Sequence, residues 1–371
     1  MSTIDVELAQ RSADAARAPL REVWFTRCPV PTATGLAYRL GWLAEDLAPD
    51  GIRIAAIQDA PRELARHHYD HEIPTLIREG GSLLALAARA QGAPTRLIGL
   101  TWIDEAQSIV VRLDSAISEP AHLRGARVAL PAFVRREIAA HVRGSSIARG
   151  MSLHGIKGAL SIAGLTLDEV TFVEVGSGQD ARGDAGLGRL WAGLDELVKG
   201  SVDAVYVKGA SAVEAARERG LRVGIDLDRY PDLRTRVNNG TPRPVTVHES
   251  LLESHFDVLV RFLAQTLRAA EWAADNLGGV YEVLKSETRA GDEGVMAAYR
   301  DGFHRALHPN LSAERVELLR AQKTFMLVHG FLDADFDLDA WVEPRPLAAA
   351  RELLRKTERS RTPHGVLPPR P

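Results

Sequence analysis

Residues 21–57, REVWFTRCPVPTATGLAYRLGWLAEDLAPDGIRIAAI, decide the fold class. The run 21–25 (REVWF) is short, β-branched and aromatic, and reads as a strand. Residues 34–44 read as a helix, and 52–57 (IRIAAI) as a second strand that alternates over its first half. Strand, helix, strand is the unit of an α/β sheet covered by helices.

The same texture extends outward. The spacing predicts a helix over 73–90, entered through Pro74 at a first-turn position, then strands at 96–101 and 108–112. LRGARVALP at 123–131 restarts the pattern with a helix-end glycine, a strand and a loop that opens a helix over 134–149. Strands follow at 170–175, 202–207 and 221–225, with helices at 187–199 and 210–219. The stretch 235–248, TRVNNGTPRPVTVH, is full of turn formers and reads as a chain crossing. Beyond 255 the pattern is almost wholly helical: 255–276, 278–286, 291–304, 312–328 and 346–356.

This order predicts two lobes. Lobe one takes 20–116 and returns with 248–356, lobe two takes 120–240, and 1–18 and 357–371 are flexible arms. Two crossings, near 117–120 and 241–247, make a hinge and place a ligand where strand ends meet helix starts.

Composition narrows the function. With 45% hydrophobic and 26% charged residues the chain is globular, and its formal charge of −3 has no basic stripe for nucleic acid. No apolar run is long enough to insert in a membrane, and the first residues lack a basic-then-apolar leader, which predicts a cytoplasmic protein. There is no ordered glycine fingerprint for a dinucleotide.

The single cysteine, Cys28, sits in TRCPVP (26–31), just past a strand and before a helix. A thiol at a helix start is expected to have a lowered pKa and to react, although a lone cysteine also serves as plain packing. ARHHYDHEIP (65–74) reads as a solvated polar turn or, alternatively, as a cleft loop that holds the next candidates. His67 or His68 would stand beside the thiol as base or partner, with Arg66 and His71 facing a ligand. His67 and His71 at i, i+4 are too few for a zinc site, so no metal is expected. Thr26, Trp102, Phe133, Lys208 and the Asn238–Asn239 pair complete the candidates, at strand ends or in the crossing.

TRCPVP, GWL (41–43), GIRI (51–54), EIPTLIREG (72–80), TRLIGLTW (95–102), LRGARVALP, SVDAVYV (201–207), FMLVHGFL (325–332) and LDAWVEP (338–344) together resemble the 2'-hydroxybiphenyl-2-sulfinate desulfinases. The chain is also similar to their relatives, the sulfonate-, nitrate- and taurine-binding transporter proteins. The resemblance implies a two-lobed type 2 periplasmic-binding-protein-like fold with a helical C-terminal flank. It implies a cofactor-free hydrolase of sulfur metabolism, in which Cys28 stands for the essential cysteine and acts on the C–S bond of an aryl sulfinate as proton donor or nucleophile. The alternative is a non-catalytic solute-binding protein for a sulfonate-like anion. Either way the partner is a small organic anion. One segment departs from the family. Before EIP the desulfinases carry a histidine, an arginine and a glycine pair, and here a shorter stretch reads ARHHYDH, with Arg66 the candidate replacement for the arginine.

Overall fold

The computed structural model describes residues 19–26, 28, 30–133, 147–176, 192–288 and 290–361. The arm 1–18 and the predicted helix start at 134–146 lie outside these residues, as do 177–191 and 362–371.

Strand β1 (Glu22–Phe25) shows why the first half folds as it does. Val23 and Phe25 enter the main core, while Trp24 packs on the other side with Ile57 and Leu76. That period-2 division puts β1 inside a sheet with both faces covered. It runs parallel to β2 (Arg53–Ala56) on one side and β3 (Leu76–Glu79) on the other. Strand β4 (Thr95–Thr101) lies at the far edge, and with β10 (Arg243–His248) the sheet order is β2–β1–β3–β10–β4. Strand β10 arrives from much later in the chain and inserts antiparallel between β3 and β4.

Two expectations are corrected here. Residues 73–90 are not one helix: Pro74 lies in a turn, Leu76–Glu79 is a strand, and only Ser82–Ala90 is helical. All four residues of β3 are buried, so the strand shows no alternation, and Gly80–Gly81 ends it before the helix begins. The expected crossing 235–248 likewise closes on a strand, β10, rather than on a linker.

The second sheet is built from β5 (Gln107–Arg112), flanked by β8 (Val205–Lys208) and β9 (Leu221–Asp226), both antiparallel to it. Strands β6 (Arg127–Pro131) and β7 (Thr171–Val175) pair in parallel, and a bridge from Val128 to Ala204 carries them alongside. Strand β5 was expected in lobe one. It follows β4 after only 102–106, as a hairpin partner would, but pairs with β8 and β9 instead. The first crossing is therefore 102–106, not 117–120.

Helix Phe256–Asp275 covers the first sheet. Val258, Leu259, Phe262, Leu263, Thr266, Leu267, Ala270 and Ala273 form one buried stripe, and it packs against helices Ala33–Arg39 and Arg345–Arg361. The last helix runs to Arg361, further than the predicted 346–356, and takes in the start of the expected arm. No helix among the described residues is long and apolar enough to cross a membrane.

His154, on helix Ile147–Ile162, stacks on Phe325 at 3.9 Å between ring centroids, and its Nδ1 lies 2.7 Å from Gln322 Oε1. Burial depresses its pKa from 6.5 to about 3, so the ring is neutral in the fold. The unfolded chain takes up that proton first as pH drops. Stability from this ring is complete above about 6.5 and is lost toward about 3, by up to about 1.4 kcal/mol per pH unit. Urea denaturation across that window should show the slope, and His154→Asn should flatten it. A slope unchanged by the substitution would assign the acid sensitivity elsewhere.

Candidate active site

At one edge of the first sheet the C-terminal ends of β1, β3 and β4 lie beside the start of β10. Thr26, Cys28, Arg78, Glu79 and Arg243 hang from that edge, and Glu105 lies in the first crossing. Leaving β1, Thr26 continues the pairing through its side chain. Its Oγ1 donates to the Glu79 carbonyl at 2.5 Å and accepts the Glu79 amide at 2.8 Å. The Cys28 thiol donates to the same carbonyl at 3.0 Å. Thr32 then caps helix Ala33–Arg39, its side chain accepting from Gly35 N.

Cys28 is 7% exposed. Burial pushes its thiol pKa up, against Arg243, which lowers it by charge and by a side-chain hydrogen bond. Glu79 raises it further and Arg78 lowers it. This corrects the expected low pKa. The helix that follows begins at Ala33, its first-turn amide at Gly35 is already taken by Thr32, and desolvation of a thiolate outweighs a distant dipole. The thiol should therefore resist iodoacetamide near neutrality and react as pH climbs past the free-thiol range of about 8.5. Because the folded pKa is the higher one, Cys28 stabilises the fold below that range and ceases to above it. Rapid labelling of the native protein near pH 7, followed by mass spectrometry, would contradict this.

Around the thiol stand buried charges that the sequence reading did not single out. Arg78 is 1% exposed; its Nε donates to His68 O at 3.3 Å and its Nη2 to Gly81 O at 3.2 Å. Gly80 allows this fold-back, since a Cβ there would stand 2.8 Å from Arg78 Nη2. Burial lowers the Arg78 pKa to about 10. Glu79 accepts from Thr101 Oγ1 at 2.9 Å, and burial raises its pKa while Arg243 opposes the rise. Arg243 opens β10 and leans against Gly240, whose backbone is left-handed at φ 93°. Its pKa is raised: burial works against the charge, but Cys28, Glu105 and Glu79 together outweigh it.

Lys208, at the end of β8, is buried with its Nζ 3.1 Å from Thr241 Oγ1 and 3.4 Å from Glu105 Oε1. It belongs to a polar chain through the crossings. Thr241 and Arg236 O hold Gln107, Gln107 accepts from Tyr206 Oη, and Asn238 Nδ2 donates to Tyr206 Oη and Met151 O. Asn239 and Gly240 form the tip of a two-residue hairpin closed by reciprocal bonds between Asn238 and Thr241. Asn239 Oδ1 caps Leu83 N of the first half while Asn238 grips the second.

Of the other predicted residues, His68 and His71 adjoin Arg78 without reaching the thiol. His67 Nδ1 lies 2.8 Å from Asp70 Oδ1 and 3.6 Å from Glu72 Oε2, a three-residue cluster of its own. His68 is held neutral, its pKa lowered by burial and by Arg78 to about 3. Among the described residues neither histidine hydrogen-bonds Cys28. His71 is buried in a left-handed turn at φ 62°, lining a small cavity with Leu76, Arg78, Thr246 and His248. Arg66 is exposed. Trp102 packs with Val237 and Leu318 and donates from Nε1 to Asp104. Phe133 is 41% exposed, 6.1 Å from the Phe331 ring.

Two sheets crossed twice by the chain, with a polar edge between them and a helical flank, define the two-lobed periplasmic-binding-protein-like class. The chain is similar to the 2'-hydroxybiphenyl-2-sulfinate desulfinase of Rhodococcus erythropolis, at 24% identity over 351 residues, 86% of this chain and 91% of that one. A crystal structure of a cysteine-to-serine variant of a desulfurization enzyme in complex with biphenyl-2-sulfinic acid superposes with a TM-score of 0.67 at 22% identity, covering 90% of this chain and all of that one. The periplasmic aliphatic sulphonate-binding protein of Escherichia coli does so at 0.61 and 16% identity, over 87% and 92%. No family model matches the chain.

Proposed function

We propose that the protein is a cofactor-free desulfinase-like hydrolase that releases sulfite from an organic aryl sulfinate, with Cys28 as the acid. The observation that carries this is the buried thiol, protonated at neutral pH, with the Arg243 guanidinium beside it. Likeness to a sulfinate desulfinase and to sulphonate-binding proteins supports a small organic anion as the ligand. A free thiol suits the reducing cytoplasm.

The chemistry follows from those groups. The sulfinate displaces the Glu79 carbonyl as partner of the thiol. Cys28 gives its proton to the ring carbon that carries sulfur, the C–S electron pair stays on carbon, and sulfur leaves as SO2. Water converts SO2 to hydrogensulfite, so that RSO2− and H2O give RH and HSO3−. Arg243 and Arg78 hold the transient thiolate, which water reprotonates. His68, neutral and short of protons at pH 7, is not the acid in this scheme.

A second reading, capture of a sulfonate-like anion without turnover, is favoured by the likeness to sulphonate-binding proteins. One assay separates the two. Biphenyl-2-sulfinate, benzenesulfinate and an alkyl sulfinate are incubated with the protein, and sulfite and arene are measured together. Equal amounts of both are expected from an aryl substrate; tight binding with no sulfite from any of them would establish capture instead.

A further inference from the structure

We propose that Arg78, acting with Arg243, is the anion-holding residue of the site, and that the pair selects a singly charged oxyanion. This rests on the sulfinate reading and goes beyond it, because it assigns the clamp to a strand end rather than to the histidine-rich segment.

Arg78 is buried and interacts electrostatically with both Cys28 and Arg243. Two of its nitrogens are fixed by backbone carbonyls, and its third, Nη1, is buried with no partner among the described residues. Arg243 Nε is in the same condition. No carboxylate forms an ion pair with either guanidinium among the described residues, and a buried guanidinium left this way is costly until an anion meets it. Arg66, the sequence candidate for this role, is exposed.

Charge sets the class of ligand. Among the described residues the buried groups at this edge are the cations Arg78, Arg243 and Lys208 and the carboxylates Glu79 and Glu105. Lys208 is engaged with Glu105, and Glu79 faces Arg243. With both carboxylates ionised, one positive charge is left for a ligand, which a sulfinate, sulfonate or carboxylate matches. A second negative charge would meet Glu79, whose Oε2 is buried without a partner, with no cation remaining.

Titration calorimetry with benzenesulfinate tests this in a Cys28→Ser protein, whose turnover is expected to be slow enough for binding to be read alone. Arg78→Met should weaken binding at least about tenfold, and Arg78→Lys by less, since an ammonium lacks the planar fork. Circular dichroism checks that each variant is folded. Phenylphosphonate in its doubly ionised form should fail to compete in the unsubstituted protein, a readout that stands even if Arg78→Met does not fold. Affinity within twofold of the parent for a folded Arg78→Met, or phosphonate binding equal to sulfinate, would overturn the proposal, as would no benzenesulfinate binding at all. Sulfinate binding that depends on Arg78, in a Cys28-intact protein that releases no sulfite, would remove the desulfinase reading and leave the clamp standing.

Discussion

Cys28→Ser should lower sulfite release from an aryl sulfinate by about 10²–10⁴-fold, the range that a positioned general acid contributes. A serine hydroxyl is isosteric enough to keep the bond to the Glu79 carbonyl, now 3.0 Å from sulfur, so fold and binding should survive. It is a far weaker acid than a thiol, so the proton for the ring carbon is no longer at hand. The measurement is the initial rate of sulfite formation at saturating benzenesulfinate, beside calorimetric affinity. A serine variant within threefold of the parent rate would show that the proton comes from elsewhere.

Arg243→Met should cost about 3–5 kcal/mol of stability, the usual result of removing one partner from a buried charged cluster. Arg243 is the cation that opposes the burial of both Glu79 and Cys28, and Glu105 acts on it as well. Without it Glu79 must take up a proton or stand charged and unmatched, and the thiol pKa rises further. Arg243→Lys should recover part of the loss, because charge returns without the fork. Guanidinium unfolding curves give the difference; a change under about 1 kcal/mol would mean that the carboxylates are already neutral and need no cation.

How much of this was legible depended on burial. TRCPVP announced itself, since a strand end, two prolines and the lone cysteine fall together, and Thr26 and Cys28 do meet on one carbonyl. Strands with an alternating or β-branched run, such as β5 and β8, were also plain. β3 was hidden because a central strand buried on both faces carries no alternation. Its LIRE merged with the apolar helix beyond Gly81 into one helical pattern. Arg78 and Glu79 vanished with it, since on a helix they would read as a solvated ion pair. Arg243 was lost for a related reason: TPRP reads as loop, and nothing local says that a strand starts there. The histidines were legible as a cluster but not in their separate settings. Their density suggested a catalytic cluster, but His67 turns to Asp70 and His68 is held neutral by burial.

The insertion of β10 between β3 and β4 also orders events in time. As the chain leaves the ribosome, residues 22–101 emerge with four of the five strands of their sheet but not the one that belongs in its middle. That place stays vacant until 243–248 have been made, with the whole of 107–226 synthesised in between. The later-emerging half closes on strands of its own and needs nothing from downstream to complete its pairing. Nascent chains shorter than 248 residues would thus hold a finished second half and an open first one, with β3 and β4 exposing unpaired edges to chaperones. The last strand to arrive carries Arg243, so the edge around Cys28 acquires its charge balance only when the first sheet is closed.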